Sequence, residues 1–199
     1  MGSTVRCGKL AAVLVCVAGI AGAESLSLKD ARKVLPKGNR IEAVLPDTSF
    51  LDEKQQAIVL SLKDTIPYFG ALALTPDEGL FVDWLNASGQ HHSLEAARQA
   101  ALAHCDANRL PSSADCVVVL EVSPKGYDPE AALSLSAEGA TALKGDYRKL
   151  KGAKAFAISP STGAFGFARG DGGRALDACA KAGGEAGGGA TDCAIVVAD

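Results

Sequence analysis

Histidine, on which many catalytic and metal sites depend, is scarce in this chain. The three histidines are His91, His92 and His104, and none follows His104. His91 and His92 are adjacent in a polar stretch, so they point in different directions in an extended chain, and no spaced carboxylate completes a ligand set around them. We therefore expect no metal site and no cofactor, and we interpret His91 and His92 as solvent-exposed loop residues.

An excess of positive charge is also missing. The chain has 20 Lys+Arg against 23 Asp+Glu, for a net charge of −3. Without residues 1–23, which include Arg6 and Lys9, 18 cationic side chains remain and the net charge is −5. Such mild acidity without a basic stripe argues against nucleic acid or anionic lipid as a partner.

The one long apolar stretch, at 10–23, is too short to span a bilayer. It follows Arg6 and Lys9 and ends in Ala-Gly-Ala before Glu24, a small-x-small cleavage site. This pattern predicts that residues 1–23 are a secretory signal peptide, with a membrane-anchored N-terminus as the alternative. The mature chain should then have no membrane span and be periplasmic or secreted.

Three landmarks occur twice in the same order, which indicates an internal duplication. They are a turn with proline and a final glycine, a cysteine that follows an Ala-Leu segment, and an Asp-Cys pair before an apolar run. In the first copy they lie at 75–79, Cys105 and Cys116. In the second copy they lie at 159–163, Cys179 and Cys193. The repeated cores span 68–122 and 153–199. We expect domains at 24–123 and 124–199.

Four cysteines lie outside the predicted signal peptide, and an even number in an exported chain implies disulfides. If the two copies fold alike, Cys105 pairs with Cys116 and Cys179 pairs with Cys193. Neither pair has the C-x-x-C spacing of redox or zinc sites, and no clustered histidines lie beside them. We therefore predict one structural disulfide in each copy.

Apolar periodicity and capping residues predict an α+β fold. The predicted units have the order strand, strand, helix, strand, with a mainly antiparallel sheet, helices packed on it and one disulfide each. In the first unit we expect helices at 27–35, 49–63 and 93–105 and strands at 41–45, 69–74, 80–85 and 117–122. In the second we expect strands at 131–135, 155–159, 164–168 and 193–198 and helices at 136–150 and 174–181, capped by Ser136 in the first case. The glycine-rich stretch 183–189 lacks the Lys-Ser/Thr pair of a phosphate loop and is interpreted as a connector.

Several other residues invite a functional interpretation, and each has a simpler one. Ser161 resembles a nucleophile, but no histidine lies in the second copy, so turn formation is the better account. Asp77 and Glu78 share a tight turn and should project into solvent. Trp84, on the predicted strand 80–85, is expected in the core beneath the helix rather than on a contact surface.

The segment 155–166, with a later Ala-Leu-x-x-Cys and an Asp-Cys before a valine-rich end, resembles the bacterial domain of unknown function 4189. The resemblance covers the second copy well and the first more loosely, since 75–79 replaces the Ser-Thr-Gly turn. Members of that family are typically exported, and the family name assigns no activity. Because the motif consists of turn and disulfide residues, the resemblance implies a fold and not a site.

Chains that resemble this one over their whole length are sometimes labelled 5-aminolevulinate synthase. A pyridoxal-phosphate enzyme needs a Schiff-base lysine, an acid at the pyridine nitrogen and a phosphate site in a large scaffold. No such set is recognisable in this sequence, and we interpret the label as a propagated error.

Two functional classes remain compatible with the sequence. The first is an exported non-catalytic module of the bacterial envelope, which binds another envelope protein or a cell-wall component. The second is a small secreted hydrolase with a site around loop 86–92, in which His91 or His92 acts with Asp83. A cleft that brings these side chains within hydrogen-bonding distance would favour the hydrolase.

Overall fold

A computed structural model describes residues 25–38, 40–185 and 189–199, so the predicted signal peptide lies outside the described residues. The helices are α1 (Leu28–Val34), α2 (Glu53–Ser61, followed by a 3₁₀ turn at Leu62–Asp64), α3 (Leu94–Asn108), α4 (Ala137–Ala142, continued by a π-helical turn at Leu143–Tyr147) and α5 (Gly172–Glu185). The strands are β1 (Ile41–Val44), β2 (Gly70–Leu74), β3 (Val117–Pro124), β4 (Lys154–Ile158), β5 (Phe165–Arg169) and β6 (Ala194–Ala198).

The strands form two antiparallel sheets of three strands each, which confirms the predicted α+β class. The first sheet has the order β1-β3-β2 and the second has the order β5-β4-β6. Helix α3 packs on the first sheet and α5 on the second. Each sheet is therefore covered by the helix that carries the first cysteine of its disulfide.

The buried strands β2 and β4 share one pattern of small and large side chains. Every residue of both strands is buried. Small residues face the cluster that contains the disulfide helix, and large residues face the opposite cluster: Ala71 and Ala73 against Leu72 and Leu74 in β2, and Ala155 and Ala157 against Phe156 and Ile158 in β4. The alanine faces let α3 and α5 approach their sheets closely.

One strand pair has the same irregularity in both sheets, whereas the third strand differs: β1 pairs with β3 in the first sheet and β5 pairs with β4 in the second. The register between β2 and β3 shifts after Leu72, and the register between β4 and β6 shifts after Phe156. These two residues occupy equivalent places in their sheets, since Leu72 pairs with Leu120 and Phe156 pairs with Val197. Such a shift marks a β-bulge, which increases the local twist.

Both predicted disulfides are present. Cys105 bonds Cys116 with their Cα atoms 6.1 Å apart, and Cys179 bonds Cys193 with their Cα atoms 6.2 Å apart. Each bond joins the helix to the start of the last strand in its half. In the chain-entropy estimate, closing a loop of this size stabilises the fold by roughly 3 kcal/mol.

Capping residues set the helix starts largely as predicted. The side chains of Ser27, Ser93 and Ser136 accept hydrogen bonds from backbone N–H groups in the first turns of α1, α3 and α4. Helix α2 begins later than predicted, because Asp52 rather than Ser49 is its N-cap and forms a capping box with Gln55.

Two predicted strands are wrong. Residues 80–85 form turns and irregular structure, and the backbone of Ser88 instead pairs with Ala71 at the edge of β2, through N···O distances of 2.8 and 2.9 Å. Residues 131–135 are also irregular, yet Leu133 and Leu135 are buried against the second sheet. In both cases an apolar run packs on the core without entering a ladder, which periodicity alone cannot distinguish.

The glycine-rich stretch is in part helical. Helix α5 extends to Glu185, past the predicted end at 181, while residues 186–188 lie outside the described residues. A Cβ atom at Gly183 would lie 2.2 Å from Cβ of Ala190, so glycine lets the returning chain pass close to the helix.

The segment before β1 packs with the second sheet rather than the first. Leu26 pairs with β6, where its N–H donates to Val196 O at 2.9 Å. Ala31 and Leu35 are buried in the same cluster as Tyr147 and Phe156. Apolar residues of the predicted first domain, 24–123, thus complete the core of the other half.

Candidate functional site

Two regions deserve functional consideration: the loop 86–92, which contains the predicted catalytic histidines, and a cationic surface beside α1. The loop runs along the open edge of β2. His91 and Phe69 exchange backbone hydrogen bonds at 3.2 and 3.3 Å, one step along from the bridge between Ser88 and Ala71. The loop therefore extends the first sheet, and His92 at its end lies against Ala164 in the second half of the chain.

His92 is a buried structural residue, which contradicts the prediction of a solvent-exposed side chain. It is 2% exposed. The N–H of Ser136 donates to its Nδ1 at 3.1 Å, so Nε2 carries the proton and donates to Ala164 O at 3.0 Å. Burial lowers the pKa of His92 from 6.5 to about 4, so the ring is neutral at pH 7.

His91 is also buried, at 8% exposed, and it contacts a serine that the sequence analysis did not single out. Ser88 Oγ lies 2.5 Å from His91 Nε2. His91 Nδ1 is buried and has no hydrogen-bond partner within the described structure. Burial lowers the pKa of His91, because no nearby group compensates for the loss of hydration of a charged ring.

The third residue of the predicted hydrolase set does not join the two histidines. Asp83 is exposed in a turn, and among the described residues no hydrogen bond links it to His91 or His92. His104 lies elsewhere, with Nε2 2.8 Å from the carbonyl oxygen of Trp84. The Trp84 side chain is half-buried and packs against the cluster beneath α3 without entering its buried core.

Turn residues that look functional connect the turn of each half to the loop before the last strand of the same half. Asp77 and Glu78 accept hydrogen bonds from the backbone N–H groups of Ala114 and Leu110, at 2.7 and 2.9 Å. The bond from Leu110 lowers the pKa of Glu78. In the second half, Ser161 N donates to Asp192 Oδ2 at 3.0 Å. Ser161 thus acts through its backbone, in agreement with its interpretation as a turn residue.

The cationic surface combines two segments that are far apart in the sequence, residues 29–37 and residues 144–154. Both segments are rich in Lys and Arg and contain only Asp30 and Asp146 as acids. We call the cationic residues of these segments the basic face; its nine members are half of the 18 cations that follow residue 23, namely Lys29, Arg32, Lys33, Lys37, Lys144, Arg148, Lys149, Lys151 and Lys154. Seven of them are exposed, Lys144 is half-buried and Lys154 is buried.

Packing of the apolar faces brings these segments together. Ala31 and Leu35 of the α1 region share a core cluster with Leu143 and Tyr147 of the α4 region. The Lys144 ammonium reaches across and donates to the carbonyl oxygen of Pro36 at 3.1 Å. Burial, with a smaller contribution from the charge of Arg32, lowers the pKa of Lys144. Positive charges of the two segments therefore lie close enough to repel one another.

An open groove of about 500 Å³ lies within the basic face. Its lining consists of Leu28, Lys29, Arg32, Lys33, Lys154 and Asp199. Four of these six residues are cationic, and one is acidic. Such a groove attracts anions, since charges on a partly enclosed surface are screened less by water than isolated surface charges.

Lys154 forms the rigid floor of the groove. Its ammonium lies 4.7 Å from the centre of the Tyr147 ring, 3.3 Å from Leu150 O and 3.7 Å from Asp199 Oδ2. Asp199 Oδ1 also accepts the N–H of Leu28 at 3.0 Å, which fixes the start of α1 to the sheet. Lys154 thus has a structural role, and Lys29 and Arg32 are the cations that a ligand could approach.

Neither a metal-binding cluster nor a membrane-spanning helix occurs in the part of the chain that the structure describes. Within residues 25–38, 40–185 and 189–199, no three His, Cys, Asp or Glu side chains are grouped so that they could hold a metal ion. None of the helices described above has the length and apolar composition required to cross a membrane. No protein-family model, curated protein or solved structure matches this chain.

Sequence reasoning missed both Ser88 and the basic face. Ser88 is an ordinary polar loop residue until the fold places it against His91. The basic face did have a signal, since five Lys or Arg residues occur within 144–154. That signal was hidden by the net acidity of the whole chain, and nothing in the sequence indicated that α1 would pack beside it.

Proposed function

We propose that this protein is an exported, non-catalytic binding module of the bacterial envelope, and that the basic face is its binding surface. Its ligand is an anionic component of the envelope, such as an acidic wall polymer or the acidic surface of another protein. The protein acts in the periplasm or after secretion, once residues 1–23 have been removed. Its two halves descend from one duplicated unit related to the domain of unknown function 4189.

The distribution of charge carries this proposal. A chain with a net charge of −5 after residue 23 would spread its cations among its acids if they served only solubility. Here half of the cations gather on two adjoining segments that contain two acids. Clustering of this kind is unfavourable for folding because like charges repel, and a bound anion offsets that repulsion.

The disulfides support an oxidising location, since such bonds persist outside the cytosol. The state of the loop 86–92 supports a non-catalytic role. Both ring nitrogens of His92 form hydrogen bonds with backbone groups, so neither is free to act as a base.

The proposal is tested by sedimentation of the purified protein with envelope particles at low and at high salt. The variant Lys29→Glu/Arg32→Glu reverses two exposed charges of the groove, and an acid at 29 in the first turn of α1 is compatible with the helix dipole. The matched control, Lys54→Glu/Arg174→Glu, makes the same change of charge at exposed positions outside the basic face.

We expect the wild-type protein and the control to sediment with the particles at low salt, and the groove variant to remain in solution. High salt should release the wild type. Equal loss of binding in both variants, or no binding by the wild type, would overturn the proposal.

A hydrolase remains the second candidate because Ser88 and His91 are hydrogen-bonded. Among the described residues no carboxylate orients His91, and burial lowers its pKa, so the pair is a weak base and nucleophile as it stands. Labelling with a fluorophosphonate probe tests this candidate. Labelling that disappears in Ser88→Ala would establish a nucleophilic serine, and absence of labelling at Ser88 would remove the hydrolase from consideration.

A further inference from the structure

We propose that the groove beside α1 binds the phosphate groups of a linear, base-free phosphate polymer, which runs along the basic face. The inference rests on the proposed function, because it names the kind of anion that the same surface takes. It depends on which cations are available, on how far they extend and on what else lies on the surface.

Two cations of the groove are available to a ligand. Lys33 is held by Asp30, with Nζ 2.7 Å from Oδ1, and Lys154 is held by Asp199. Within the described residues, Lys29 and Arg32 form no ion pair, and both are exposed. They are three residues apart on α1, so they project from neighbouring positions of one helix face.

This pair of side chains suits a tetrahedral oxyanion. The planar guanidinium of Arg32 can donate two parallel hydrogen bonds to two oxygens of one phosphate, while the Lys29 ammonium supplies a point charge to another. An internal unit of a linear phosphate polymer has two unbridged oxygens and one charge, which Arg32 can bind, and the next unit of the backbone can meet Lys29. The carboxylates of a poly-acid lie on separate flexible side chains, so their charges are less closely spaced along the polymer. The groove therefore favours phosphate over carboxylate.

The extent of the basic face favours a polymer over a single small anion. From the groove, the face continues through Lys144, whose ammonium reaches the residue before Lys37. Arg148 and Lys151 lie in the next turns of the same segment and are exposed. One phosphate in the groove would leave these cations uncompensated, whereas a chain with repeated charges would neutralise several of them.

The surface disfavours two other kinds of phosphate source. Binding to a bilayer is strengthened by apolar side chains that insert, but Ala31 and Leu35 are buried in the core and Val34 is the exposed apolar residue of α1, so electrostatic attraction would act almost alone. Single-stranded nucleic acid would require aromatic side chains on which bases stack. Tyr147 and Phe156, which lie beneath the basic face, are fully buried.

The test compares the binding of four probes to the purified protein without residues 1–23. The probes are inorganic polyphosphate, poly-glutamate of matched charge, vesicles that contain anionic phospholipid, and single-stranded DNA. Binding is measured by competition against fluorescently labelled polyphosphate over a range of salt concentrations. Arg32→Gln removes one groove charge, Arg32→Lys keeps the charge without the planar fork, and Arg174→Gln is the control outside the basic face.

We expect polyphosphate to bind at least tenfold more tightly than poly-glutamate, vesicles or DNA. Arg32→Gln should weaken polyphosphate binding about tenfold and reduce the slope of log K against log salt by about one. Arg32→Lys should retain the slope but lose affinity, and Arg174→Gln should match the wild type. Circular dichroism should be the same for all four proteins.

The other outcomes separate this inference from the function on which it rests. Equal affinity for poly-glutamate and polyphosphate would overturn the preference for phosphate and leave the anion-binding function standing. Tighter binding to vesicles or DNA would overturn the assignment to a base-free polymer. If none of the probes binds, the anion-binding function fails together with the inference.

Discussion

His92 in the first half of the chain donates a hydrogen bond from Nε2 to the carbonyl oxygen of Ala164 in the second half, over 3.0 Å. On its other side the ring accepts the N–H of Ser136 at Nδ1. A single imidazole therefore joins the edge of the first sheet, the start of α4 and the turn between β4 and β5. Its role is to hold the two halves of the molecule together.

Stability should fall with acidity because of this histidine. Burial lowers the pKa of His92 to about 4 in the folded protein, against 6.5 for the free group. Between these two values the unfolded chain binds a proton at this histidine and the native state does not. The contribution of His92 to the free energy of unfolding is therefore fully present above pH 6.5 and is lost as the pH falls to about 4. The expected loss from this group is roughly 3 kcal/mol over that interval. Urea denaturation at pH 7, 5.5 and 4.5 measures it.

The variant His92→Gln isolates this contribution, since the carboxylates titrate equally in both proteins. Glutamine cannot take up the proton, and its amide can replace part of the hydrogen bonding. The variant should be less stable than the wild type at pH 7 and show a shallower loss towards pH 4.5. Equal slopes in the two proteins would mean that His92 is not buried in its neutral form.

Gly163 should be the most sensitive glycine at the junction. It has a φ of +77°, and a Cβ atom there would lie 2.2 Å from the carbonyl oxygen of Gln90. Gly152 has a φ of +75° with nothing within 4 Å of the equivalent position. Gly152→Ala therefore measures backbone strain alone, at about 1 kcal/mol, whereas Gly163→Ala should cost roughly 2–4 kcal/mol because the halves must also separate. A similar cost for the two variants in thermal unfolding would refute this account of the junction.

The two disulfides should contribute similar amounts to stability. Their cysteines are 11 and 14 residues apart, so each closes a short loop. Replacement of Cys105 and Cys116, or of Cys179 and Cys193, by alanine should lower the free energy of unfolding by about 3 kcal/mol in each case. Denaturation of the wild type under reducing conditions is the control, and it should lose about as much as both variants together. A cost below about 1 kcal/mol for either pair would contradict a stabilising role for that bond.

Local chemistry made much of the fold predictable from the sequence. Helix starts are predictable at Ser27, Ser93 and Ser136, because a serine side-chain oxygen can accept a hydrogen bond from an otherwise unpaired backbone N–H. The cysteine pairing followed from the repeated landmarks. The strand predicted at 80–85 is wrong because an apolar run is compatible with a strand, while the place at the edge of β2 is taken by Ser88 and His91.

The candidate site was far less predictable, since it depends on contacts between distant segments. The burial of His92 results from its approach to Ala164 and Ser136, neither of which is near it in the sequence. The groove exists only because Ala31 and Leu35 pack against the core of the second half. Charge patterns along the chain could identify 144–154 as basic but could not place α1 beside it.

The measurement that tests the central claim most directly is a map of backbone amide chemical shifts during titration with polyphosphate. If the basic face is the binding surface, the shifts will concentrate in residues 28–37 and 144–154, and they will disappear in the Lys29→Glu/Arg32→Glu variant. Shifts centred on the loop 86–92, or none at concentrations that saturate a micromolar site, would contradict the claim.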